Sequence, residues 1–191
     1  MNRTRLAIIG LLCAISLVGC VPSLNPFYHE SDVKFDERLL GSWRPKEEGK
    51  EIWTFERGEN KSYRLTAKAD AKTSVFSAHL FAVQEKLFID LQPDPKALDA
   101  QTDWSLVSMV PAHLLVRVND IGNTLKFSML DFAELLKNKP SALSHQILEG
   151  ERIVLTASTT ELQRFITAHL DTKSDWSEPS EYTKWPSEPR R

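Results

Sequence analysis

From residue 39 onward, apolar and polar residues alternate with a period close to two, the spacing of a strand that buries one face. In EIWTFE (51–56) Trp53 and Phe55 point one way, and Glu51, Thr54 and Glu56 form no competing apolar face. In SYRLTAK (62–68) Tyr63, Leu65 and Ala67 alternate with Ser62, Arg64, Thr66 and Lys68, and Gly58 with Glu59 and Asn60 supplies the turn between the two strands. VFSAHLFAV (75–83) is apolar on both faces, which places it in the middle of a sheet or under a helix. Gln84-Glu85-Lys86 then turns into LFIDLQP (87–93), which Pro93 and Pro95 end. Beyond a polar connection at 94–105, HLLVRV (113–118) and LKFSM (125–129) flank a turn at 119–123.

The period then lengthens. Asp131 and Glu134 stand three apart ahead of an apolar stripe of Phe132, Leu135 and Leu136, and Pro140 supplies a stop, so 131–139 is predicted to be a short helix. ERIVLTA (151–157) returns to strand. Ser158 and Glu161 form a capping box for a helix over 159–170, whose Leu162, Phe165, Ile166 and Leu170 share one face. These elements predict an α+β domain over 39–171, mainly antiparallel β, in which two short helices cover a curved sheet or partial barrel. Residues 20–38 read as a lead-in, yet Phe27, Tyr28 and Phe35 are too apolar for a free linker, and part of it is expected to lie on the domain. The tail at 172–191, rich in Pro, Ser and charge, reads as mobile. Its Trp176, Tyr182 and Trp185 leave two readings open, folding back onto the domain or docking a partner.

At the N-terminus Arg3 and Arg5 precede an apolar run from Leu6 to Val18. As a helix that run extends roughly 20 Å against about 30 Å of bilayer hydrocarbon, so a removable signal peptide fits better than a span. The run ends in Leu17-Val18-Gly19-Cys20, which resembles the lipobox of bacterial lipoproteins. That resemblance implies removal of residues 1–19 and acylation of Cys20, hence a membrane partner held through lipid. With Val21 rather than an acidic residue next, it also implies the outer membrane of a Gram-negative envelope, with the domain facing the periplasm.

Composition narrows the chemistry. A formal net charge of −2, more acidic still without Arg3 and Arg5, offers no basic excess for nucleic acid. Cys13 falls in the removed segment and Cys20 is capped, so the mature chain has no disulfide and no thiol nucleophile. No Gly-x-Ser-x-Gly occurs, and seven glycines give no phosphate loop. Neither a cofactor nor a metal site is expected, because His29, His79, His113, His145 and His169 form no ligand-spaced pair.

Leu40-Gly41-Ser42-Trp43 resembles the Gly-x-Trp signature of lipocalins, antiparallel barrels that hold apolar ligands, and Thr102-Asp103-Trp104 is similar to that family's Thr-Asp-Tyr element. The resemblance implies that Trp43 closes one end of a barrel. The aromatic weight of Trp43, Trp53, Phe55, Phe76, Phe81 and Phe88 predicts a binding module for a small apolar ligand or an envelope protein, with Trp43, Trp53, Phe55, His79 and Phe81 as candidate contacts. Two other readings stand beside it. One is an envelope hydrolase around His79 and His113; the other is a scaffold subunit with no small ligand.

Overall fold

The structure, a computed structural model, describes residues 21–47, 49–94 and 110–186. Cys20, most of the 94–105 connection and Thr102-Asp103-Trp104 lie outside the described residues.

The alternating segments pair as a meander: β2 (Gly41–Pro45), β3 (Ile52–Arg57), β4 (Tyr63–Ala69), β5 (Lys72–Val83), β6 (Lys86–Pro93), β7 (Leu114–Ile121) and β8 (Thr124–Ser128), each antiparallel to the next. The tight turns follow from residues that tolerate a left-handed backbone, Asp70 (φ 52°) between β4 and β5 and Gln84 (φ 54°) between β5 and β6. A bulge at Asn119 shifts the β7–β8 register. β5 starts at Lys72, three residues before its apolar run, because Lys72, Thr73 and Ser74 pair with Ala69, Lys68 and Ala67 at the end of β4.

The ring is completed by β11 (Ser180–Trp185), which lies antiparallel to both β8 and β2. Eight strands therefore form a closed, lipocalin-like barrel, tighter than a curved sheet or partial barrel, with no free edge around the ring. This corrects the expectation of a mobile tail from 172: the prolines bracket a strand, since Pro179 precedes it and Pro186 follows it. Tyr182 and Trp176 are buried in the domain, so the fold-back reading holds for both. A two-residue strand, β1 (Val33–Lys34), adds to β5 at Phe81 and Leu80.

Helices α1 (Phe132–Asn138) and α2 (Thr159–His169) form as predicted. Asp131 accepts the Glu134 N–H at 3.0 Å, and Ser158 and Glu161 complete the capping box. Between them the strand expected over 151–157 forms as β10 (Arg152–Leu155), and it pairs with a strand that the alternation did not announce, β9 (His145–Leu148), the two turning at Gly150 (φ 74°).

Parity along the strands makes two cores. Inside the barrel lie Leu39, Trp43, Phe55, Tyr63, Leu65, Leu80, Ile89, Val116, Leu125, Phe127 and Tyr182. On the outer wall Phe81, Val83, Phe88 and Leu115 meet Phe132 and Leu136 of α1 and Leu162, Phe165 and Ile166 of α2, with Val21 and Phe27 from the lead-in. The helices thus cover the convex face. The space between sheet and helices is filled by packed side chains and holds no ligand concavity among the described residues.

Candidate functional site

One end of the barrel is sealed. Gly41 takes φ +110°, a backbone open to glycine, and a Cβ there would stand 3.4 Å from the Lys184 ammonium. Trp43 is fully buried, and its indole N–H donates to the Leu39 carbonyl at 2.9 Å. The Lys184 Nζ sits 4.3 Å from the centre of the Trp43 ring and donates to the carbonyls of Arg38 and Leu40. Burial holds this ammonium below its ordinary pKa. Beside it, Phe35 stacks on Tyr63 at 4.7 Å, and the Asp36 N–H donates to the Tyr63 hydroxyl. A cleft of about 180 Å³ at this end, bordered by Arg38, Leu87, Val118 and Asp120, is smaller than the roughly 300–1,000 Å³ of small-molecule sites.

The opposite end is built differently. The inward residues of β4 shrink toward it in the order Tyr63, Leu65, Ala67, Ala69, and Ala67 stands directly opposite both Trp53 and Ser74. Trp53, Phe76, Leu114 and Met129 are half-buried and pack against the interior cluster from the rim. Trp53 stacks on Phe127 at 4.9 Å and 9°, with Tyr182 at 5.3 Å and Phe55 edge-on at 6.3 Å. Its indole N–H donates to Glu51 Oε1 at 2.7 Å, while the Tyr182 hydroxyl donates to Oε2 at 3.1 Å. The Tyr182 hydroxyl is pushed above its ordinary pKa, first by burial and then by the Glu51 charge. Two neutral donors thus hold one carboxylate at an aromatic mouth.

The other candidate residues lie outside the barrel. Phe81 is in the outer core, and His79 stacks on Tyr28 at 4.7 Å. Trp43, Trp53 and Phe55 face inward, so the sheet separates the five predicted contacts into two sets that share no pocket. His79 is paired in register with Asp90, a fully buried acid whose Oδ2 accepts the Phe27 N–H at 2.9 Å and whose Oδ1 accepts from His113 Nδ1 at 2.7 Å. His79 and His113 therefore do converge, around an acid the sequence reading passed over. The far nitrogen of His113 faces the Gln92 amide at 3.3 Å. Tyr28, covering this cluster, has its hydroxyl pKa pushed up to about 12 by burial, with Asp90 and Glu30 adding to it. The group is a polar clasp that fastens the lead-in to the wall. Among the described residues no cluster of three or more His, Cys, Asp or Glu side chains has the arrangement to hold a metal ion.

Burial also holds His79 below its ordinary value of 6.5, against the opposing pull of Asp90 and Glu30 and with the same-sign push of His113. The neutral ring is the form the fold favours. Below about pH 6.5 the unfolded chain takes a proton at this site that the folded chain resists, so the contribution is complete above that pH and shrinks as pH falls through it. Urea midpoints are expected to drop as the pH goes from 7 to 5, and His79→Phe, which keeps the stack on Tyr28, is expected to flatten that slope. An identical slope in the variant excludes His79 as its source.

No helix among the described residues is long and apolar enough to cross a membrane. Neither a family model, nor a curated protein, nor a solved structure matches the chain.

Proposed function

We propose that this chain is a lipid-anchored protein of the outer membrane, facing the periplasm, whose barrel binds a small apolar ligand at the Trp53 mouth. The observation that carries this reading is the asymmetry of the barrel. One end is closed by Trp43, Leu39 and the Lys184 ammonium, while the other presents half-buried apolar groups beside the small Ala67 and Ser74. Half-buried aromatic surface that faces inward gains by being covered, about 25 cal/mol per Å² removed from water. An eight-stranded barrel is wide enough either to be filled by its own side chains or to hold one small ligand. The Glu51 carboxylate between Trp53 and Tyr182 gives the mouth one fixed polar group. The anchor rests on the lipobox sequence ending at Cys20.

The hydrolase reading draws on the approach of His113 to Asp90. Its weakness is that the pair is buried beneath Phe27 and Tyr28, with the outer imidazole nitrogen turned to Gln92.

A neutral naphthylamine dye titrated into the domain is expected to brighten as it enters the mouth. Trp53→Ala is expected to weaken that binding by about tenfold or more, the equivalent of one aromatic contact of about 1.4 kcal/mol. Equal affinity in the variant, with the fold intact by circular dichroism, removes the mouth from the reading.

A further inference from the structure

We infer that the domain has no free tether and sits directly against the bilayer, with the β9–β10 hairpin as its lipid-facing surface. The inference rests on the anchor proposed at Cys20. Val21, one peptide unit of about 3.8 Å from that residue, is already buried in the outer core. From there the chain is bonded to the fold almost residue by residue. The Leu155 N–H donates to the Pro22 carbonyl at 2.8 Å, Ser23 and His113 exchange backbone bonds at 2.9 and 2.8 Å, and the Leu24 N–H donates to the Leu155 carbonyl at 2.9 Å. Asn25 Nδ2 donates to Ala157, Thr159 Oγ1 to Pro26, and the Phe27 N–H to Asp90. A segment so fastened gives a lipid on the preceding residue no slack.

The direction of the chain then selects the face. Ser23 pairs with Leu155 in parallel, so the lead-in followed back toward its N-terminus runs the way β10 runs back toward its turn at 149–151. At that end Ile147 is 65% exposed and Leu148 44% exposed, on opposite faces of the hairpin. Large apolar side chains this open are few among the described residues, and two of the five lie here, where the anchor leaves the fold. Leu148 stands opposite Arg152, whose guanidinium suits lipid phosphate.

The test uses the full lipidated chain on vesicles of phosphatidylethanolamine and phosphatidylglycerol. Leu148→Cys and, as a remote control on the β3–β4 turn, Glu59→Cys each carry an environment-sensitive fluorophore, and intact mass reports the lipid. Because Cys13 is removed with the signal peptide and Cys20 is capped, each introduced thiol is the only one to label. The expected result is a blue shift at position 148 and a loss of its emission to spin-labelled lipid, with position 59 unchanged. Lipid present by mass with both positions equally exposed overturns the inference and leaves the anchor standing. An unlipidated mature chain overturns both.

Discussion

Truncation after residue 179 is expected to abolish the cooperative unfolding transition of the domain. The deletion removes the strand that pairs with both β2 and β8, leaving two edges of unpaired backbone groups and opening the interior at Tyr182. It also removes Lys184, so the Arg38 and Leu40 carbonyls lose their donor and the Trp43 ring loses its cation. Removing buried Tyr182 alone is of the order of an aromatic-to-alanine cavity, about 3–5 kcal/mol, against a typical domain stability of about 5–15 kcal/mol. Chemical denaturation followed by tryptophan emission and circular dichroism measures it. A truncated chain with a sharp transition near that of the full domain contradicts closure by β11.

Asp90→Ala is expected to cost about 3–5 kcal/mol, because the variant leaves a buried Phe27 N–H and a buried imidazole without their acceptor. Asp90→Asn keeps one oxygen for the Phe27 N–H and is expected to cost less. The Asp90→Ala/His113→Phe double variant, with one orphaned group fewer, is expected to lose less than the sum of the single changes. Limited proteolysis supplies a second readout, since loss of the clasp is expected to expose the 21–36 segment to cleavage before the barrel opens. An Asp90→Ala protein as stable as the parent, cut no faster in the lead-in, contradicts the structural role and reopens the hydrolase reading.

The barrel strands and both helices were legible because each carries its own local signal. Trp53 and Phe55 alternate with polar neighbours, and Ser158 with Glu161 marks the start of a helix whatever surrounds it. β11 hid behind composition. SEYTKW does alternate, but its second inward residue is a lysine, which period-two reasoning assigns to water. Lys184 shares the parity of Tyr182 yet stays exposed at the barrel's end, held there by the carbonyls of Arg38 and Leu40 and the ring of Trp43, partners about 140 residues away in sequence. β10 was legible in ERIVLTA, whereas β9 gave little pattern because three of its four residues are exposed.

The candidate site was legible residue by residue and not as a place. Nothing local says which parity of β5 faces the barrel interior, so His79 and Phe81 on one face were grouped with Trp53 and Phe55 on the other. Asp90 left a trace, an acid inside an apolar strand, but its partners Phe27 and His113 come from distant segments. The mouth carboxylate Glu51 was read only as one of the residues that form no apolar face. Its place beside Trp53 depends on Tyr182 arriving from β11.

Native mass spectrometry of the soluble domain beginning at Val21 tests the binding role most directly. The account predicts a retained or added apolar molecule bound one to one, displaced by the naphthylamine dye and lost on Trp53→Ala. A domain that stays at its bare mass while folded, with a range of apolar molecules offered in excess, contradicts it.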